Sequence, residues 1–300
     1  MAKYKNLIYL LIAIASPFSL TAQNANIEKF AVKAHANIGM GDALNAKSSL
    51  EGLLSNTNSE EYGVDFGWRF WQKGRHSLEA NIGLGLNTIS TKLELPELSY
   101  SYAASAVADM DDESYIRHTK LSGVSQKAKA TRLTLPIYLS YDFRYVRWLS
   151  VHADLGVRLG FKTSSKLSDV RGDAYSYGVY PQYDNLLIDA EYMNDFGRGD
   201  LEECNSASPE VSSLTASLLV GAGFKFNIYG PLSADVSLHY DAGFSNLYKG
   251  KQDAGKALTA ESAPLTYTVK DGSQLKSLTD YLTTSKLSPL SLRLSLIYNF

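Results

Sequence analysis

His35, His152 and His239 are the residues of this sequence best suited to chemistry, and each stands inside a stretch of alternating apolar and polar residues. Imidazole at such positions can ligate a metal or act as a general base near neutral pH. A metal site needs several donors converging, and a hydrolytic site needs a hydroxyl beside the base. In a strand, the residue two positions on shares the histidine's face. Those residues are Asn37, Asp154 and Asp241, so no His-x-Ser pattern is present. Neither catalysis nor a metal or other cofactor is expected, and the histidines are expected to pair with carboxylates on their own face.

The elements that carry them read as strands. Phe30, Val32, Ala34, Ala36 and Ile38 alternate with Lys33, His35 and Asn37. Tyr62 to Phe70 and Leu78 to Leu86 repeat the pattern around a turn at Gln72-Lys73-Gly74-Arg75, which predicts a hairpin. Leu133 to Phe143 and Leu149 to Phe161 flank a second turn at Arg144 to Arg147. Leu214 to Ile228 and Leu232 to Phe244 flank a third at Tyr229-Gly230-Pro231. Leu290, Leu292, Leu294, Leu296, Tyr298 and Phe300 form the last strand. Pro136 lies inside the fourth and cannot donate to a ladder, so a bulge or gap in pairing is expected there.

One face of these strands is apolar throughout. The other carries Gly, Ser, Asn and charges of nearly matched sign: Lys33, Arg69, Arg132, Arg158, Lys225 and Arg293 with Asp65, Glu79, Asp142, Asp154, Asp235 and Asp241. A narrow barrel has room inside only for its own side chains, and such a set can neutralise itself there. The expectation is an all-β fold, an eight-stranded antiparallel up-and-down transmembrane barrel with a polar plug and a lipid-facing exterior. Glycines on the polar face, such as Gly83, Gly156 and Gly160, leave room for the large lumen groups. Phe70, Trp71, Tyr145, Trp148, Tyr229, Tyr298 and Phe300 sit near the turn ends, as an interfacial girdle requires.

Composition alone would miss the membrane. The chain has 300 residues, 45% hydrophobic and 20% charged, like many globular proteins. Its mean hydropathy of -0.16 is compatible with a barrel, because the two faces average out. Lys3 and Lys5, the apolar run Leu7 to Ala15 and the small residues up to Ala22 read as a secretory signal over residues 1–22, with 23–300 as the barrel domain. Removing Lys3 and Lys5 takes the formal charge from -2 to -4, which excludes nucleic acid as a partner. The single cysteine, Cys204, excludes an intramolecular disulfide.

The connections alternate between tight turns and long segments, residues 41–59, about 88–130, about 163–212 and about 246–288. Short periplasmic turns opposite long extracellular loops is the asymmetry of outer-membrane barrels. The last strand, with Leu296, Tyr298 and terminal Phe300, resembles the closing strand by which such barrels are recognised for assembly. Leu133-Thr134-Leu135-Pro136-Ile137-Tyr138-Leu139-Ser140-Tyr141 resembles the Ile-Pro-containing fourth strand of PorT-like outer-membrane β-barrel proteins. Tyr240-Asp241-Ala242-Gly243-Phe244-Ser245-Asn246-Leu247 is similar to that family's seventh strand. The resemblance implies a barrel of the OmpA and OmpX shape in the cell outer membrane, with outer-membrane lipid and the barrel-assembly machinery as partners. It implies no chemistry.

Function is therefore sought in the long segments, since binding groups tend to sit on loops held by a rigid scaffold. The third holds Arg171-Gly172-Asp173 and Arg198-Gly199-Asp200, each resembling the integrin-recognition tripeptide, and the tyrosines Tyr175, Tyr177, Tyr180, Tyr183 and Tyr192. Tyr among small polar residues suits a contact surface. The run Asp109, Asp111, Asp112, Glu113 lacks a complete calcium loop. In the fourth, Leu275, Leu278, Tyr281 and Leu282 after Ser273 fall at helical spacing and predict a short helix over the barrel mouth. The expected role is non-enzymatic: presenting the loops to extracellular or envelope proteins. Assistance to secretion or outer-membrane assembly is the alternative, ahead of a passive pore or a lipid-modifying enzyme.

Overall fold

The computed structural model describes residues 29–103, 114–184, 186–188, 196–203, 205–206, 208–250, 258–259, 262–268 and 272–300. The expected signal segment, the acidic run at 109–113, Tyr192 and Cys204 lie outside them. The barrel strands are β1 (Phe30–Gly39), β2 (Leu54–Lys73), β3 (His76–Ala103), β4 (Ile116–Val146), β5 (Leu149–Tyr180), β6 (Leu214–Tyr229), β7 (Leu232–Gly243) and β8 (Leu290–Asn299). Each pairs antiparallel with its sequence neighbours, and β1 pairs with β8 from Ala31↔Asn299 to Gly39↔Ser291, which closes the ring. Closure leaves no free sheet edge in the apolar zone, a condition for β-structure in lipid.

The three tight turns fall where the alternation breaks. Lys73 pairs with His76 around Gly74, whose φ of 61° is the left-handed conformation that a two-residue hairpin loop requires. The β6–β7 turn uses Gly230 in the same way, at φ 54°. At Pro136 the β3–β4 ladder skips two pairs, passing from Ile82↔Ile137 to Gly85↔Thr134 with the register kept. The expected gap is present.

The strand lengths differ from the sequence expectation. β2, β3, β4 and β5 run to 20, 28, 31 and 32 residues, against the roughly 9–11 that cross a bilayer. Much of the segments read as loops at 88–130 and 163–212 is strand, continuing upward as a projecting sheet. Along that sheet the faces exchange character without any change of alternation. In β3, Ile82, Leu84 and Leu86 point out and are exposed while Asn81 and Asn87 point in. Two positions on from Asn87, the inward residues become Ile89, Leu93 and Leu95, all fully buried, and the outward ones Ser90, Lys92 and Glu94. β4 does the same, with Ala130, Ala128, Val124 and Leu121 inward and Lys129 and Lys127 outward. The lower part is built for lipid outside and polar groups inside, and the upper part for water outside and an apolar core inside.

That core is shared with the remaining segments. Leu44, Leu50, Leu201, Val211, Leu247, Tyr248, Leu265, Leu275, Leu278, Tyr281, Leu282 and Leu287 pack against the inner face of the projecting sheet. Burying one such leucine contributes about 1.5–3 kcal/mol. Leu44–Ser48 and Leu282–Leu287 pair antiparallel within the cap. The helix expected after Ser273 is one 3-10 turn, Leu278–Tyr281, capped by Ser277, whose hydroxyl accepts from the Thr279 amide. Four residues complete only one turn, and tertiary packing of Leu278 and Tyr281 holds it. The cap's backbone is satisfied by the wall: Gln126 accepts from the Leu278 amide at 2.8 Å and donates to the Lys276 carbonyl at 3.2 Å. Tyr100 donates to the Leu265 carbonyl at 3.0 Å and Tyr248 to Thr91 at 3.0 Å. Burial pushes the Tyr248 phenol up to about 12 and raises those of Tyr100 and Tyr281, so all three stay protonated.

Glycine on the inner face makes room for aromatic and cationic groups. A Cβ on Gly156 would collide with the Ile137 carbonyl oxygen and with the Cβ of Tyr138, its cross-strand neighbour. Backbone cannot yield there as a flexible side chain can. Gly156→Val is expected to cost about 1–3 kcal/mol through overpacking. A lowered urea midpoint for unfolding from detergent checks it, and an unchanged midpoint contradicts the contact.

Candidate functional site

Two regions have the chemistry for function, the lumen and the outer face of the projecting sheet. In the lumen the charged residues expected from the sequence converge in tiers. Nearest the turns, Lys33 lies 2.6 Å from Glu79, Arg69 lies 3.4 Å from Glu79, and Lys225 lies 2.7 Å from Asp142. In the middle, Arg293 bonds Asp65 and meets His35 at 2.7 Å, while Tyr138 donates to the same carboxylate at 2.7 Å. Arg293 and Lys33 each stand 5.6 Å from the centre of the Tyr138 ring. His152 lies 2.6 Å from Asp235 and 3.3 Å from Asp154, and His239 lies 3.3 Å from Asp154. In the upper tier Arg158 bonds Asp241 and approaches Glu61 at 3.6 Å.

Arg69–Glu79 joins two neighbouring strands, whereas several of the other ties skip over the strands between their partners. Arg158 of β5 reaches Glu61 of β2 and Asp241 of β7, and His152 of β5 reaches Asp235 of β7. The histidines pair with carboxylates, as expected. Arg132 is the exception among the expected cations: it is buried without an ion pair within 4.0 Å among the described residues, and its guanidinium lies over Gly160. Glu61 was not among the residues expected in the network. The strand extends back from Tyr62 to Leu54, and Ser59 and Glu61 continue its inward, buried alternation.

Outside, the barrel has the surface of a bilayer-spanning protein. Leu84, Leu139, Leu155, Phe224, Leu238 and Leu294 are among many large apolar residues left exposed around the whole ring, far beyond the scattered apolar exposure of a soluble surface. The girdle residues Phe70, Trp71, Tyr145, Trp148, Tyr229 and Phe300 are exposed at the turn end. Leu296, Tyr298 and Phe300, expected as an assembly signal, close the ring against β1, with the Phe300 amide donating to the Phe30 carbonyl at 2.8 Å.

The residues expected in a contact loop are placed differently. Arg171, Gly172, Asp173, Tyr175, Tyr177 and Tyr180 are in β5, and Arg198, Gly199 and Asp200 are in a short strand, Gly197–Asp200, paired beside it. The two Arg-Gly-Asp tripeptides thus run antiparallel, with Asp173 across from Asp200 and Tyr175 across from Arg198. Tyr177 stacks on His118 at 4.8 Å, and the Arg198 guanidinium stands 5.9 Å from the Tyr175 ring centre. Tyr180 is no contact residue: it faces inward, almost fully buried, stacked on Tyr115 at 5.4 Å. It lies an odd number of positions from Tyr175 and Tyr177, which places it on the opposite face of the strand.

No protein-family model matches the sequence, and no curated protein matches it. Among solved structures, the outer membrane protein OprG from Pseudomonas aeruginosa is similar at a TM-score of 0.40 and 10% identity, covering 93% of this chain and 98% of that one. A major outer membrane protein from Thermus thermophilus gives 0.37 and 12%, covering 90% and 99%. The attachment invasion locus protein Ail of Yersinia pestis, in complex with the heparin analogue sucrose octasulfate, gives 0.31 and 12%, covering 91% and 100%. The assignment of this chain as an eight-stranded membrane β-barrel stands on its own closed pairing and its apolar exterior.

Proposed function

We propose that this integral outer-membrane barrel is a surface recognition protein whose working part is the projecting sheet, with the turn end in the periplasm and the projecting end outside the cell. The observation that carries the reading is the exchange of faces along β3 and β4. A sheet with an apolar inner face packed on its own cap is a rigid, water-facing platform, and rigid platforms position contact residues well. Tyr175, Tyr177, His118 and Arg198 lie on its outer side, a ridge of aromatic and cationic groups of the kind that dominates contact surfaces. The resemblance to PorT-like proteins is part of this proposal and adds no mechanism to it.

Two comparisons test it. An epitope inserted in the 104–113 segment should be detected by antibody on intact cells. A variant combining Tyr175→Ala, Tyr177→Ala and Arg198→Ala should fold, shown by a heat-dependent shift in gel mobility. It should match a deletion strain in lost adhesion to immobilised glycans and matrix proteins. If the triple variant adheres as the parent does, the ridge is not the working part. If deletion instead alters only secretion or envelope integrity, a role at the periplasmic end replaces this one.

A further inference from the structure

Immediately above the last lipid-facing residues, Leu86, Leu133 and Phe161, the outer face of the projecting sheet sets like charges against one another. The register places Lys92 directly across from Lys127, and Lys129 directly across from Lys166. All four are exposed. Lys127 and Lys129 are two apart on one strand and share a face, so the ammonium groups occupy neighbouring positions over three strands. Like charges directly opposite destabilise a sheet unless something neutralises them. Lys92 has Glu94 at 2.5 Å and Lys127 has Asp169 at 3.9 Å. Lys129 and Lys166 have no carboxylate within 4.0 Å among the described residues. An adjoining hollow of about 680 Å³ includes Lys92, Lys127 and Arg171 but also Glu60, Glu94 and Asp169, so its charge is mixed. The uncompensated cations are at the Lys129–Lys166 end.

Their height fits one kind of anion. The row Ser90, Lys129, Lys166 stands four residues beyond Leu86 and Leu133, about 13 Å along the strands at ~3.3 Å per residue. Strand tilt of roughly 40° shortens this to about 10 Å along the membrane normal. The headgroup layer extends about 5–7 Å beyond the hydrocarbon on each side, and a lysine stem can bend its ammonium back toward that layer.

We propose that Lys129 and Lys166 form a binding site for the phosphate groups of outer-leaflet lipid, which seats the projecting sheet on the membrane surface. The site rests on the orientation given under Proposed function. Its occupant is lipid-borne phosphate, because the lysines continue the lipid-facing surface upward and carry the charge that complements it.

The test uses the full chain in bilayer nanodiscs of phosphatidylcholine containing either bisphosphorylated lipid A or the same lipid dephosphorylated. Bound lipid is counted by native mass spectrometry. The parent should retain the phosphorylated lipid preferentially. Lys129→Gln with Lys166→Gln should weaken retention roughly twenty- to thirtyfold, from about fivefold per cation near an anionic surface, and Lys47→Gln with Lys249→Gln should leave it unchanged. Equal retention of both lipids, an unaffected Lys129/Lys166 variant, or lysine-dependent binding of inorganic phosphate without lipid preference overturns the site. The nanodisc result does not depend on cellular orientation. An epitope hidden on intact cells therefore sinks the proposed function, while lost phosphate preference sinks the lipid site, and the two failures are distinguishable.

Discussion

Asp65→Ala is expected to cost about 3–5 kcal/mol and to remove the heat-resistant, fast-migrating form of the barrel on gels. Asp65 is fully buried and accepts from both Arg293 and Tyr138, with His35 at 3.4 Å. Removing it leaves the Arg293 guanidinium in the lumen with its main counter-charge gone, and an uncompensated buried charge is what makes breaking such a pair costly. Replacing both partners, Asp65→Leu with Arg293→Met, should recover most of the loss, because a well-packed apolar pair can substitute for a buried ion pair at little net cost. Equilibrium unfolding in urea from detergent micelles measures both. A single variant with the parent's midpoint would show that the network contributes nothing to stability, and a double variant as weak as the single would show that shape, not charge balance, sets the cost.

The second large effect is an absence of current. Reconstituted in planar bilayers, the protein should show no steady conductance, and Arg158→Ala should destabilise it instead of opening a path. The lumen is crossed at successive heights by Lys225–Asp142, Arg293–Asp65 and Arg158–Asp241. The space left among Lys33, Tyr138, His152, Asp154 and Arg293 is about 10 Å³, no more than one water molecule occupies. The opening at the turn end, about 90 Å³ and lined by Arg69, Arg75, Arg144 and Lys225, reaches Asp142 and Lys225, the first of those ties. Above the lumen, the cap closes over the mouth with Leu278, Tyr281 and Leu282 buried. An ion would have to break several buried pairs in succession, each worth kilocalories. Uniform, sustained conductance steps would contradict this and make the passive pore the better function.

What the sequence determined by itself is the barrel within the membrane. Alternation is a local property: Leu84 and Leu86 against Gly83 and Gly85, or Leu294 and Leu296 against Arg293 and Ser295, state which residues share a face before any partner is known. Turn chemistry at Gly74 and Gly230, the gap at Pro136 and the balanced inner charges follow from the same local reading. What only the tertiary structure decided is where each strand stops, which face is wet at each height, and who meets whom. Ile89, Leu93 and Leu95 keep the alternation of Asn87, so a search for lipid-facing apolar residues on the other face reads that stretch as loop. The apolar inner face has meaning only when the cap, distant in sequence, packs into it, as Tyr248 does on Thr91 and Leu278 on Gln126. The lumen pairs Arg158–Glu61 and Arg293–Asp65 likewise join strands that are not ladder partners, and no local pattern encodes that meeting; it is fixed by ring closure, which is a property of the whole chain.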